Sequence, residues 1–244
     1  MDLTHEQARA APQRPLALIA GIGEGLGVSL AQTFAAAGYD IAGIARTDRL
    51  ADQIAARVHK SAGTYSHHVC DITQVEAVRA AVGPIAGQVR VLVLNAATLL
   101  IRPFAAITPE EFEAVWRAGC LGAMIVAHAV APAMAARRDG TIIFTGATAG
   151  IRGGARFSAF ASAKFALRGL AQALARELDP HGIHVAHVTI DGLIDAPQTV
   201  QRFGPADGRR MDPDAIAGAY LALARQHRSA WSHEIDLRPQ SQSF

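Results

Sequence analysis

The chain has 244 residues, half of them hydrophobic and 18% charged, with a formal net charge of +2. That apolar mass excludes a disordered chain or a disulfide-stapled miniprotein, and so small a positive charge leaves no footprint for nucleic acid. Two cysteines, Cys70 and Cys120, with no CxxC pair, point to a reducing, cytoplasmic setting. The apolar runs Pro15–Ile22 and Leu121–Pro132 fall short of the ~20 residues a bilayer core requires, so no membrane span is read. The acidic start, Met1-Asp2-Leu3-Thr4-His5-Glu6, reads as no signal peptide.

Short apolar runs then alternate with amphipathic stretches. Leu16–Ala20 predicts a buried strand and Gly25–Ala37 a helix. Asp40–Ala45 and Thr47–His59 repeat that pair, and Tyr65–Val69 makes a third strand. Gln74–Ile85 reads as a helix opened by a capping box, Thr73 with Glu76. Val91–Leu94 is apolar on both faces, as in a strand covered from two sides. Thr108-Pro109-Glu110-Glu111 is a second capping box, with Pro at the first helical position, opening a helical region that reaches Arg137. The pattern continues with a strand at Thr141–Thr145, a long helix over Ser158–Glu177 and a strand at His184–Ile190. Asp212-Pro213 caps a helix reaching Arg225, and Ser232–Leu237 is the last strand. Such alternation implies right-handed crossovers and a parallel sheet: an α/β, doubly wound fold in a single domain over residues 1–244, with frayed tails at 1–13 and 240–244.

Between the first strand and first helix lies Ala20-Gly21-Ile22-Gly23-Glu24-Gly25-Leu26-Gly27. Glycines there permit a tight turn and close backbone approach to a pyrophosphate, and the helix N-terminus offers free N–H groups and its positive dipole end. The spacing of Gly21, Gly25 and Gly27 resembles the TGxxxGxG turn of the short-chain dehydrogenase/reductase family, with Ala20 where Thr is usual. The resemblance runs over almost the whole chain. It implies a Rossmann-like sheet and a nicotinamide cofactor bound by Gly21, Gly23, Gly25, Leu26 and Gly27. Asp71 and Ile72 fall where the family meets the adenine ring, and Asp71 also suits capping beside Thr73. Asn95 and Ala96, in Leu94-Asn95-Ala96-Ala97, resemble the family's NNAG segment. Gly192 and Ile194 belong to a turn resembling PG-x-I, whose backbone meets the nicotinamide carboxamide, with Asp191 in place of Pro. At the end of the second strand, Ala45-Arg46-Thr47 offers no acid for ribose hydroxyls; Arg46 suits a 2′-phosphate, with Thr47 adding a hydroxyl. This favours NADP(H) over NAD(H), against the repulsion a Glu24 carboxylate would exert.

The family works with Asn, Ser, Tyr and Lys. Tyr exchanges the proton at the substrate oxygen, Lys lowers its pKa and holds the ribose, Ser polarises the substrate and Asn holds a relay water. On this sequence the Tyr-x-x-x-Lys motif becomes Phe160-Ala161-Ser162-Ala163-Lys164. The Ser position is Ala147 and the Asn position is Gly119, so of the four only Lys164 retains its functional atom. No tyrosine lies near enough to substitute, and Thr145, Thr148, Ser158 and Ser162 are the available hydroxyls.

The expected function is hydride transfer to a small activated substrate (conjugated, iminium or carbonyl), for which a missing acid costs least. The alternative is a catalytically inactive cofactor-binding sensor or complex subunit. Other chemistry is weaker. His181, His184 and His187 space like a metal cluster, but residues three apart on a strand face opposite sides, and no metal is expected. Arg152 and Arg156 could meet an acidic substrate, although solvation is the commoner fate of such residues. In the family, helices such as Glu113–Ala136 and Ser158–Glu177 pair across a homodimer or homotetramer. The family's variable substrate loop falls at Ala196–Asp212, where Gln198, Gln201, Arg202 and Phe203 give no decisive pattern.

Overall fold

The computed structural model describes residues 14–205 and 208–240; residues 1–13 and 241–244, where tails are expected, and 206–207 in the expected substrate loop lie outside that description. Seven strands, β1 (Leu16–Ala20), β2 (Asp40–Ala45), β3 (Tyr65–Val69), β4 (Val89–Leu94), β5 (Gly140–Thr145), β6 (Ile183–Ile190) and β7 (Glu234–Leu237), form one sheet in the order β3-β2-β1-β4-β5-β6-β7. Every pairing is parallel. The strand order reverses between β1 and β4, the switch point outside which doubly wound sheets open a ligand crevice.

Central strands are apolar on both faces because both are covered. On one side Ala17, Ile19, Val91, Val93 and Ile143 pack with α1 (Leu26–Ala36), α2 (Ala51–His59) and α8 (Pro213–Ala224). Their sequence neighbours Leu18, Leu92, Leu94, Ile142 and Phe144 pack on the other side with α3 (Val75–Val82), α5 (Gly122–Arg137) and α6 (Ser158–Leu178). Edge strands β3 and β7 are correspondingly less buried.

Three expectations change. Thr73 and Glu76 form no capping box, because the Asp71 carboxylate accepts both the Thr73 N–H and the Thr73 hydroxyl at 2.9 Å. The helix therefore starts one residue later than expected, at Val75, with Gln74 as an N-cap that makes no side-chain capping bond; its amide donates to Thr73 Oγ1 at 3.2 Å instead. The Thr108–Glu111 box does form, opening α4 (Pro109–Trp116), which runs through a π turn at Arg117–Leu121 into α5. Pro109–Arg137 is thus a 29-residue helical run, long and apolar enough by length and composition to cross a bilayer, which the separate apolar runs of the sequence did not reveal. In the fold it covers the sheet, with Val126, Val130 and Met134 fully buried. The third change is α7 (Pro197–Phe203), unmarked by any side-chain cap at Ala196. Its sequence signal is Pro197 at the first helical position.

Candidate active site

A cleft of ≈ 1110 Å³ opens at the carboxyl ends of β1, β4, β5 and β6. Large enough for a dinucleotide with a small substrate, it exceeds the ~300–1,000 Å³ of ordinary ligand pockets. Helix α7 borders it through Gln198, Thr199 and Phe203. Arg202 ties α7 across to the loop after β4 by donating to the Leu99 carbonyl at 2.9 Å.

The glycine turn shapes one wall. Gly21 has φ +88, and a Cβ there would lie 2.4 Å from the Ala96 nitrogen. Gly25 has φ +76, and its Cβ would lie 2.7 Å from the Ala196 methyl. Neither position accepts another residue without backbone movement. Open space faces the Cβ direction of Gly23. Helix α1 then starts at Leu26 with no side-chain cap and no acidic residue in its first turn, leaving its first N–H groups for a ligand. Asn95 Nδ2 donates to the Gly21 carbonyl at 3.0 Å and its backbone N–H to Ala20 at 2.8 Å, so this residue locks the turn to the end of β4. Open space at Gly23 beside the uncapped donors of α1 fits a dinucleotide pyrophosphate.

A hollow of ≈ 220 Å³ lies beside the turn, bordered by Gly23, Ala45, Thr47 and His67. Arg49 lines it as well, and Arg46, between Ala45 and Thr47 in the chain, is exposed. The Thr47 carbonyl sits 2.9 Å from His67 Nε2. Glu24, set by the sequence against a 2′-phosphate, is ion-paired to Arg49 at 2.9 Å. Sequence reasoning missed Arg49 because the pairing crosses from the glycine turn to the segment after β2. Asp71 is exposed, its carboxyl held below the usual range chiefly by the Thr73 N–H, with Arg46 and Arg117 adding smaller effects. Ile72 is buried against Gly122 rather than open to the cleft.

The far wall carries the expected catalytic positions. Ala147, Phe160 and Lys164 line the cleft, as do Leu26, Asn95, Gly192 and Ile194. Gly119 does not: it lies in the π turn, where a Cβ would come 3.0 Å from the Ala163 methyl, so the expected Asn position is a helix contact. Lys164 is 3% exposed and its ammonium donates to the Thr145 carbonyl at 2.7 Å. Burial pushes its pKa down to about 8, partly opposed by Cys120. Tyr220 lies on the other side of the sheet, its hydroxyl donating to Thr145 Oγ1 at 2.9 Å, and burial raises its pKa. Thr148 also lines the cleft, and its hydroxyl donates to Asp191 Oδ1.

The short chain dehydrogenase family model matches residues 15–203. The chain belongs to this family. It is a family of NAD(P)-dependent oxidoreductases. This short-chain dehydrogenase is 36% identical over 182 residues to a galactitol 2-dehydrogenase of Agrobacterium fabrum, covering 74% of this chain and 70% of that protein. A solved short-chain dehydrogenase from Rhodopseudomonas palustris superposes with a TM-score of 0.81 at 33% identity, over 93% of this chain and 100% of the other. A metagenomic short-chain oxidoreductase solved in complex with NADP gives a TM-score of 0.81 at 26% identity, over 94% and 99%.

Around the cleft of this short-chain dehydrogenase the remaining candidates sort by geometry. Arg152 lines the cleft, whereas Arg156 is exposed outside it. His184 and His187 do face opposite sides of β6: His184 stacks on Trp231, and His187 lies against Gly146 with both ring nitrogens unpartnered. Among the described residues no group of three His, Cys, Asp or Glu is placed to hold a metal.

Proposed function

We propose that this chain holds NADP(H) along the glycine turn and transfers hydride between it and a small carbonyl, conjugated or iminium substrate, at a site without a phenolic acid. The carrying observation is that the buried Lys164 ammonium and the uncapped start of α1 open on the same cleft. When bound, the dinucleotide supplies or takes the hydride. The chain's part is to orient it: Gly21, Gly23, Gly25, Leu26 and Gly27 receive the pyrophosphate, Asp71, Asn95 and Ala96 flank the adenosine half with Ile72 packed behind them, and Gly192, Ile194 and Lys164 border the nicotinamide half. Arg46 and Thr47, with Glu24 neutralised by Arg49, support the 2′-phosphate form. Phe160, Ala147 and Gly119 lack the polar side chains the family uses there, so positioning is asked to supply more of the rate. Met124 on α5 and Phe165 on α6 are exposed, as suits helix pairing in a homodimer or homotetramer.

The test is a fluorescence titration with NADPH and NADH, followed by deuteride transfer from 4-deuterated NADPH to panels of ketones, imines and enones, and oxidation of polyols with NADP⁺. Tighter NADPH binding with stereospecific transfer supports the reading. Tight binding with no transfer across all panels would make the chain a cofactor-binding protein without turnover.

A further inference from the structure

Of the four hydroxyls the sequence offers as stand-ins for the lost donors, three are spent or misplaced. Thr145 Oγ1 accepts from Tyr220 beneath the other face of the sheet. Ser162 donates to the Ser158 carbonyl at 2.8 Å. The Ser158 hydroxyl is buried without a partner and does not line the cleft. Thr148 differs: it directly follows Ala147, lines the cleft, and donates to a carboxylate, Asp191, that lines the same cleft. Asp191 stands where the family resemblance expects Pro, so the site that has lost a phenol and a serine hydroxyl has gained an ionisable group. Among the described residues no ion pair competes for the Asp191 oxygens; the nearby carboxylate Asp195 faces Arg210 instead, at 3.6 Å.

We propose that Thr148 and Asp191 are the proton-handling couple of this site and that its substrate is a secondary alcohol or the corresponding ketone; this rests on the hydride-transfer reading above. In oxidation the alcohol C–H bond breaks and its electron pair leaves with the hydrogen to the oxidant, an oxidised nicotinamide dinucleotide. The alcohol O–H proton passes to Thr148 Oγ1, whose own proton moves to Asp191 Oδ1, and the carbonyl double bond forms. The aspartic acid then returns its proton to water in the cleft. Ketone reduction runs the same steps backwards. A threonine hydroxyl alone is too weak an acid or base for this. Already bonded to a carboxylate, it keeps a lone pair for the substrate and passes the proton on, as an oriented hydroxyl–base pair does in nucleophile activation.

Asp191→Asn is the decisive variant, because an amide oxygen still accepts from Thr148 and preserves any purely structural tie while removing the proton acceptor. Using whichever polyol or secondary alcohol the wild type oxidises with NADP⁺, Asp191→Asn is expected to lower kcat about 10²-fold or more, with the NADPH dissociation constant within about twofold of wild type by fluorescence. Thr148→Val should lose a similar factor, and the double variant should be no slower than the worse single, since the pair acts as a unit. Alcohol oxidation by Asp191→Asn within about threefold of wild type, with deuteride transfer intact in both, would overturn the couple and leave the hydride-transfer reading standing. Absence of deuteride transfer to any ketone, imine or enone by the wild type, with no alcohol oxidised, would overturn both.

Discussion

The Lys164 ammonium sits 5.8 Å from the centroid of the Phe160 ring, one turn earlier on the same face of α6. An ammonium at that distance from an aromatic face gains a cation–π attraction, so the phenyl ring of Phe160 gives the lysine a partner without a phenol oxygen. The same geometry would place a phenol beside a cation that favours its ionised form. Phe160→Tyr together with Ala147→Ser should therefore raise kcat/KM for reduction of simple ketones by about 10²–10⁴-fold. NADPH consumption across a ketone series measures it. A double variant that binds NADPH as the wild type does yet gains nothing would show that residues 147 and 160 do not face the reacting carbon.

Lys164 carries its charge at a cost. Its folded pKa of about 8 lies below the ordinary 10.5, because burial disfavours the ammonium. The unfolded chain therefore binds this proton more readily, and stability rises with pH from the folded value up to the unfolded one. The penalty is fully present below the folded value and is of the order of 3 kcal/mol at about 1.4 kcal/mol per unit. Lys164→Met should thus raise Tm at neutral pH while weakening NADPH binding, and its stability advantage should shrink as pH climbs from about 8 to 10.5. Parallel denaturant titrations of wild type and variant read the difference. An advantage that is constant over that interval would contradict the assignment.

The fold was legible because each layer leaves its own period. Doubly covered strands such as Leu16–Ala20 are continuous apolar runs, and β1, β2 and β3 have the bounds the sequence predicts. Local hydrogen bonding was less visible. Thr73 and Glu76 have the spacing of a capping box, but Asp71, two residues upstream, takes the Thr73 donors first. The glycine turn of the candidate site was expected from its spacing, and Lys164 from the family resemblance. The Glu24–Arg49 pair and the Thr148–Asp191 contact could not, since each joins loops following different strands, brought together only by the sheet order. Gly119 was read as a vacated catalytic position, and its closeness to Ala163 on α6 gives it a packing reason that sequence spacing does not carry.

His187 is fully buried on β6 with neither ring nitrogen bonded. Burial pushes its pKa down to about 4; Glu234 opposes that shift, while Lys164, Arg168 and His233 reinforce it. The unfolded chain takes up this proton near the ordinary 6.5, so the folded state loses stability as pH falls from there toward 4. His187→Leu removes both the unpaired polar atoms and the titration. We expect it to stabilise the fold at pH 7 by about 1–3 kcal/mol, the cost of an unsatisfied buried polar group, and to flatten the acid limb between those values. Thermal unfolding at pH 7 and pH 5 tests this. An unchanged acid limb would assign that limb to other groups, and a destabilised variant would mean that the Gly146 contact matters more than the missing hydrogen bonds.

In the proposed reading, cofactor choice turns on three charges around the end of β2: Arg46, Arg49 and Glu24. Arg46 is exposed and close enough to Asp71 to lower its pKa, whereas Arg49 is bound to Glu24. If a 2′-phosphate sits in the hollow beside Thr47, Arg46→Ala removes a charge-assisted contact worth about 1.5–3 kcal/mol, so the NADPH dissociation constant should rise about ten- to a hundredfold. NADH, lacking the phosphate, should bind as before. Arg49→Ala acts differently. It leaves the Glu24 carboxylate unopposed beside the phosphate, and because the pair is partly exposed the effect should be smaller, about two- to fivefold against NADPH. Both losses should fade at high salt, since screening weakens exposed charges first. Paired NADPH and NADH titrations at low and high ionic strength separate the outcomes. Equal weakening of the two cofactors by Arg46→Ala would place this arginine on a shared part of the dinucleotide and remove the ground for preferring NADP(H).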